Sequence, residues 1–276
     1  MRKQLRRGDR VRRKNAVGIA ILVIFAISFA VVGWLRFRTS SVTRDANNCR
    51  PEGPESITVV AVDATDVLDA IQRLALTNEL TTVVDSIPLD AGVQVWRVAP
   101  SETAVPDAAG PLLCNPGEKA NRWLENENLV KRRYLERFRQ PLLSQLDQFV
   151  QAKSSPQSPI MESIQAIAIR TFDQPQYRNI TDKRLVIASD LIQNTATYSQ
   201  LHSIEAFDRF AQSVAFHRLA PRLNGVRVSL LYIQRPTSPN FKQQIEFWQQ
   251  FFFKAGASLD GVRPVAGMNQ QQKTTT

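Results

Sequence analysis

Histidine and cysteine are scarce in this chain, two of each in 276 residues. Two Cys and two His far apart in sequence give no zinc-ligand spacing, and a Ser-His-Asp triad has only His202 and His217 to draw on, both on one predicted helix. No Gly-x-Ser-x-Gly elbow, Walker loop or Gly-rich dinucleotide turn is present, and no internal repeat. A basic surface is missing as well, although the net charge is +10. Residues 1–14 hold eight Lys or Arg against one Asp; with Arg36 and Arg38 they account for nine of those ten charges and leave +1 for residues 39–276. The soluble part therefore lacks the electrostatic footprint of a nucleic-acid binder.

What the sequence does have begins with Ala16–Leu35, twenty residues without a charge. As a helix rising about 1.5 Å per residue it spans roughly 30 Å, the thickness of a hydrocarbon core. The heavier basic flank precedes it, which predicts a basic cytoplasmic tail (1–15), a transmembrane helix (16–35) in the inner (plasma) membrane, and the bulk of the chain on the periplasmic side. Trp34 fits an interfacial anchor. The alternative is a cleaved signal peptide, but the apolar run is long for one and no small-x-small site follows. Residues 36–56 read as a linker, with Pro51, Gly53 and Pro54. Cys49 and Cys114 both fall on the exported side, where an even count favours a disulfide joining the linker to the loop after the second strand; the alternative is two free thiols. Cys49 follows Ala46-Asn47-Asn48, which is no lipidation signal.

From residue 57 onward strands alternate with helices. Ile57–Asp63 is an Ile/Val-rich strand running into a carboxylate. A helix is expected over 66–86, capped by Thr65 or Asp66, then a strand over 92–98 and a short edge strand at Leu112-Leu113. The charged stretch 118–153 reads as a helical insertion, one helix or two broken at Pro141, with a solvated face. Further expectations are helices at 160–172, 199–219 and 240–255, and strands at 184–190, 226–233 and 262–265. The aromatic run Phe247, Trp248, Phe251, Phe252 and Phe253 reads as sheet packing, with an exposed partner-binding patch as the alternative. The Gln- and Thr-rich end, 266–276, reads as disordered. Asn179-Ile180-Thr181 matches a glycosylation sequon that matters only in a secretory host. The pattern predicts an α/β fold: a three-layer, mostly parallel, Rossmann-like sheet with helices on both faces. The strands ending at Asp63 and Asp190 would deliver both carboxylates to one rim, where ligands bind in such sheets.

Asp63-Ala64-Thr65, Ser158-Pro159-Ile160 and the strand ending Leu185-Val186-Ile187-Ala188-Ser189-Asp190 together resemble a von Willebrand factor type A domain, over residues 57–265. That family holds a divalent ion with an Asp-x-Ser-x-Ser turn, a loop hydroxyl and a later Asp. The resemblance implies a protein-binding module, not an enzyme, that recognises its partner through Mg²⁺ or Mn²⁺; with the anchor and topology read above, this is a membrane-anchored module whose protein partner lies in the cell envelope. The resemblance places Asp63, Thr65, Ser158 and Asp190 as ligands, with Asp66 as a substitute for the second Ser, whose place is taken by Val67. Hard cations of this kind take oxygen ligands and keep waters. Without the metal, Thr65 and Ser158 are common helix caps and the site is degenerate. A haloacid-dehalogenase-like phosphoester hydrolase is the enzymatic alternative, but Thr65 stands where its second Asp belongs. A structural subunit of a membrane complex, with an inactive site, is the third.

Overall fold

In the computed structural model of the chain, the described residues are 2–39, 43–63, 65, 68–104, 106–120, 125–151, 155–235 and 240–265; the expected tail 266–276 lies outside them. The strands are β1 (Ile57–Val62), β2 (Gly92–Arg97), β3 (Leu113–Cys114), β4 (Lys183–Ser189), β5 (Val226–Ile233) and β6 (Ser258–Val265). The helices are α1 (Arg2–Thr39), α2 (Ala70–Asp85), α3 (Glu127–Tyr134), α4 (Gln140–Val150), α5 (Ile160–Ile167), α6 (Phe207–Ala211), α7 (Val214–Leu219) and α8 (Phe241–Lys254).

All six strands form one sheet in the order β3-β2-β1-β4-β5-β6. Every pairing is parallel except that of β2 with the short edge strand β3. Every residue of β1 is buried, because both faces of the sheet are covered and no polar alternation is tolerated. Val59, Ala61, Leu185, Ile187, Val228 and Leu230 pack under α5, α6, α7 and α8. Val60, Val62, Val186, Ala188, Leu231 and Ile233 face α2, α3 and α4. The α/β architecture expected from the sequence is therefore the one found. The register sets Ile57 beside Gly92 and Lys183, and Lys183 beside Val226. The strand starts thus share a lower rim, and the ends Val62, Arg97 and Ser189 an upper one.

Several elements differ from the sequence expectation. The helix expected at 66–86 begins at Ala70, because Asp69 and Gln72 form a capping box. Pro141 does not break the charged helix. Its ring excludes a normal bond to the carbonyl four residues back, and a wide π-type turn at Leu135–Arg139 accommodates it between α3 and α4; the Arg137 carbonyl accepts Asn48 Nδ2 instead, at 3.0 Å. The helix expected over 199–219 is two short helices, α6 and α7. Upstream of them Gln200 and Gln193 hold a folded-back loop, and Ser213 caps α7; such polar side chains compete with helical backbone bonds. His202 lies in that loop and His217 on α7, both exposed. The last strand is eight residues long, not four.

Val17–Leu35 of α1 is long and apolar enough to cross a membrane. The segment after it is tied to the body. Cys49 and Cys114 form a disulfide. Arg44 and Arg50 both pair with the buried Asp90, at 2.6 and 2.5 Å. Cys114 N donates to Asn47 O at 2.9 Å, so the segment also covers the outer edge of β3.

Candidate functional site

The chain turns to opposite sides of the sheet after β1 and after β4, so their carboxyl ends flank the crevice where ligands bind in doubly wound sheets. Asp63 extends the ladder one step past β1, its N–H donating to Ala188 O at 2.8 Å. Its carboxylate then gathers four donors. Oδ1 accepts the Thr65 N–H at 3.1 Å and the Thr65 hydroxyl at 2.6 Å. Oδ2 accepts the Ser158 hydroxyl at 3.1 Å and the Ser189 hydroxyl at 2.7 Å. Ser158 reaches this point from the loop before α5, which is braced by reciprocal backbone bonds with Asn194 at 2.9 and 3.0 Å.

The three hydroxyls spend their protons on Asp63. Ser189 Oγ also accepts the Leu191 N–H at 2.8 Å. What Thr65 and Ser158 have left to offer is lone pairs on hard oxygens, suited to a divalent cation. Among the described residues no three His, Cys, Asp or Glu side chains gather as a metal cluster, so a metal here would be held by this mixed hydroxyl and carboxylate set. The oxygen chemistry fits Mg²⁺ or Mn²⁺. Asp66 and Val67, the weaker ligand candidate and the departure from the family turn, lie outside the described residues.

Asp190 arrives at the same rim but has different partners. Its Oδ1 accepts the Ile192 N–H at 3.0 Å, and Oδ2 stands 3.4 Å from Arg235 Nε, just past β5. Its backbone carbonyl accepts Gln244 Nε2 at 2.9 Å. Leu191 follows with φ of 61°, a left-handed conformation that costs a non-glycine residue on the order of 1 kcal/mol or more. It is held there by Ser189 Oγ and by Trp248 Nε1, which donates to its carbonyl at 2.8 Å. Ser189, Arg235, Gln244 and Trp248 were not among the sequence candidates. Only Ser189 left a signal, as the hydroxyl preceding Asp190.

Beside Ser158 lies a cleft of about 450 Å³ lined by Pro100, Ser101, Pro156, Gln157, Asn194, Thr195 and Ala196. Its floor is polar. Glu162 accepts Gln193 Nε2 at 2.8 Å and the Thr195 hydroxyl at 3.2 Å, and burial pushes its carboxyl above the ordinary range. Glu102, bonded by the Thr197 hydroxyl, is held below it.

No protein-family model and no curated protein matches the sequence. Solved structures are similar in shape. A von Willebrand factor type A protein from Catenulispora acidiphila superposes with a TM-score of 0.45 at 10% identity, over 80% of this chain and 42% of that one. An aerotolerance-related membrane protein from Bacteroides fragilis gives 0.38 at 12%, over 79% and 96%. A pilus adhesin from Lactobacillus rhamnosus GG gives 0.45 at 9%, over 82% and 30%. The chain thus spans less than half the length of the first and third of these. At these scores the likeness says nothing about the site, whose reading stands on the residues themselves.

Proposed function

We propose that this chain is a membrane-anchored protein-binding module. Its upper rim takes an acidic side chain of an envelope protein through Mg²⁺ or Mn²⁺. Asp63, Thr65, Ser158 and, from the neighbouring strand end, Asp190 hold the ion directly or through water, with Asp63 also orienting the two hydroxyls. When bound, the ion supplies positive charge and a coordination position for the partner's carboxylate. The cleft beside Ser158 gives the partner's chain a place to lie. The observation that carries this reading is the convergence of three hydroxyls on Asp63 at the switch point of the sheet. The module is not an enzyme. Asp63 is enclosed by donors, and Thr65 stands where a hydrolase of the haloacid type would carry its acid. The apolar segment of α1 anchors the chain, with its basic end in the cytoplasm and the body in the periplasm; the charge asymmetry of its flanks supports that orientation.

The test is thermal unfolding of the full chain in detergent, with and without Mg²⁺ or Mn²⁺. Ligand at a hundredfold over Kd adds about 2.7 kcal/mol, which raises Tm by about 5–10 °C for a body of this size. Thr65→Val and Asp63→Asn should abolish the rise. A second reading is favoured by Arg235, whose guanidinium already offsets Asp190. In that case the module is a structural subunit of a membrane complex and binds without metal. Tm then ignores both ions, and Arg235→Gln lowers it.

A further inference from the structure

We infer that the lower rim of the sheet is a lipid-contacting surface, in which Arg178, Lys183 and Arg222 bind the phosphate of an anionic phospholipid headgroup. The inference rests on the membrane-anchor reading above.

Thr39 ends α1, and Arg44 is already pinned to Asp90. The four Cα steps from Thr39 to Thr43 span at most about 15 Å. A body so closely tethered has one rim toward the bilayer. That is the rim carrying Asp90 and the strand starts Gly92, Ile57, Lys183 and Val226, since the tether is fastened there. Three strand spacings of about 4.8 Å separate β2 from β5, so the whole row is close to the tether point.

A polar cleft of about 450 Å³ opens on this rim, lined by Phe172, Asp173, Arg178, Lys183, Arg222, Asn224 and Val226. Lys183 Nζ donates to the Phe172 carbonyl at 3.1 Å. Among the described residues, no carboxylate lies within ion-pair distance of Arg178, Lys183 or Arg222. The neighbouring cations Arg184 and Arg227, by contrast, are paired with Asp182. Three cations against the lone carboxylate of Asp173 leave an excess positive charge, which an anionic surface attracts.

A second observation points the same way. Two large apolar side chains stand exposed on this rim: Phe253, 80% exposed in the last turn of α8, and Leu89, 53% exposed in the turn before β2. Phe253 borders a separate hollow of about 670 Å³ whose lining includes Gly225, while its chain neighbours Asn224 and Val226 line the cationic cleft. An exposed aromatic beside cations is the composition of membrane-interface surfaces.

The test reconstitutes the full chain into nanodiscs of phosphatidylcholine, or of phosphatidylcholine with phosphatidylglycerol, and follows amide hydrogen exchange. Peptides covering 173–182 and 220–225 should exchange about fivefold more slowly in the anionic discs. R178Q/R222Q, which spares the Lys183 bond, should erase the difference, and Phe253→Ser should reduce it. Equal exchange in both discs overturns the inference. Slowing in neutral discs on adding inorganic phosphate also overturns it, since the cleft is then a free-anion site. Fast exchange across 17–35 in both discs overturns the anchor reading itself, and is visible separately.

Discussion

Asp63 is 5% exposed and accepts four hydrogen bonds. Every one of those donors faces the carboxylate, so its neighbours are as consequential as the residue itself. Ser189 is the most exacting of them, fully buried, donating to Asp63 and accepting from the left-handed Leu191. Ser189→Ala leaves the Leu191 N–H without that acceptor and should cost about 1–3 kcal/mol. Thermal unfolding should show it as a fall of about 3–10 °C. Asp63, Thr65 and Ser158 were legible in the sequence because strand ends and loop hydroxyls have recognisable settings. Arg235 was not, since a cation two residues past a strand carries no periodicity. Nor was the left-handed turn at Leu191, because leucine does not announce positive φ as glycine does.

Among the elements, β5 was read to the residue and α8 nearly so, except that Phe253, expected in the sheet packing, is exposed. The apolar spacing of α8 marks the face that buries Phe247, Trp248, Phe251 and Phe252, while Phe253 points outward. What spacing does not reveal is that α8 also clamps the site: Gln244 and Trp248 donate to the carbonyls of Asp190 and Leu191. Trp248→Phe keeps an aromatic side chain, though a smaller one, and removes the donor. It should cost about 1–3 kcal/mol and speed exchange of the amides at 190–193 more than those of β5, as measured by hydrogen exchange. The region 199–219 was misread because apolar residues recur there at nearly helical spacing while Ser, Thr and Gln side chains settle the backbone locally. At Pro141, where the sequence left one helix or two open, the chain runs on through one widened turn whose freed carbonyl found Asn48.

On the two proposals above, the whole molecule works at two ends. The upper rim carries the Asp63 cluster, and the lower rim carries the tether and the cationic cleft. The disulfide joins residues 65 apart and encloses β1, α2 and β2. By loop-closure entropy it contributes about 4 kcal/mol, with about 2–4 typical. Cys49→Ser/Cys114→Ser should therefore lower the Tm of the full chain by about 5–15 °C, read by calorimetry. A reductant acting on wild type should reach the same Tm, slowly, because both sulfurs belong to buried residues.

The pinned segment between Arg44 and Ser56 also has a mechanical consequence. A partner tugging on the upper rim and a bilayer holding the lower one would load β1 along its own axis. The bonds to β2 and β4 then resist together in shear and do not unzip one by one. At Cys49 the pull divides between two covalent paths, one into β1 and the other across the sulfur bridge into β3, so the tether transmits force without paying out slack.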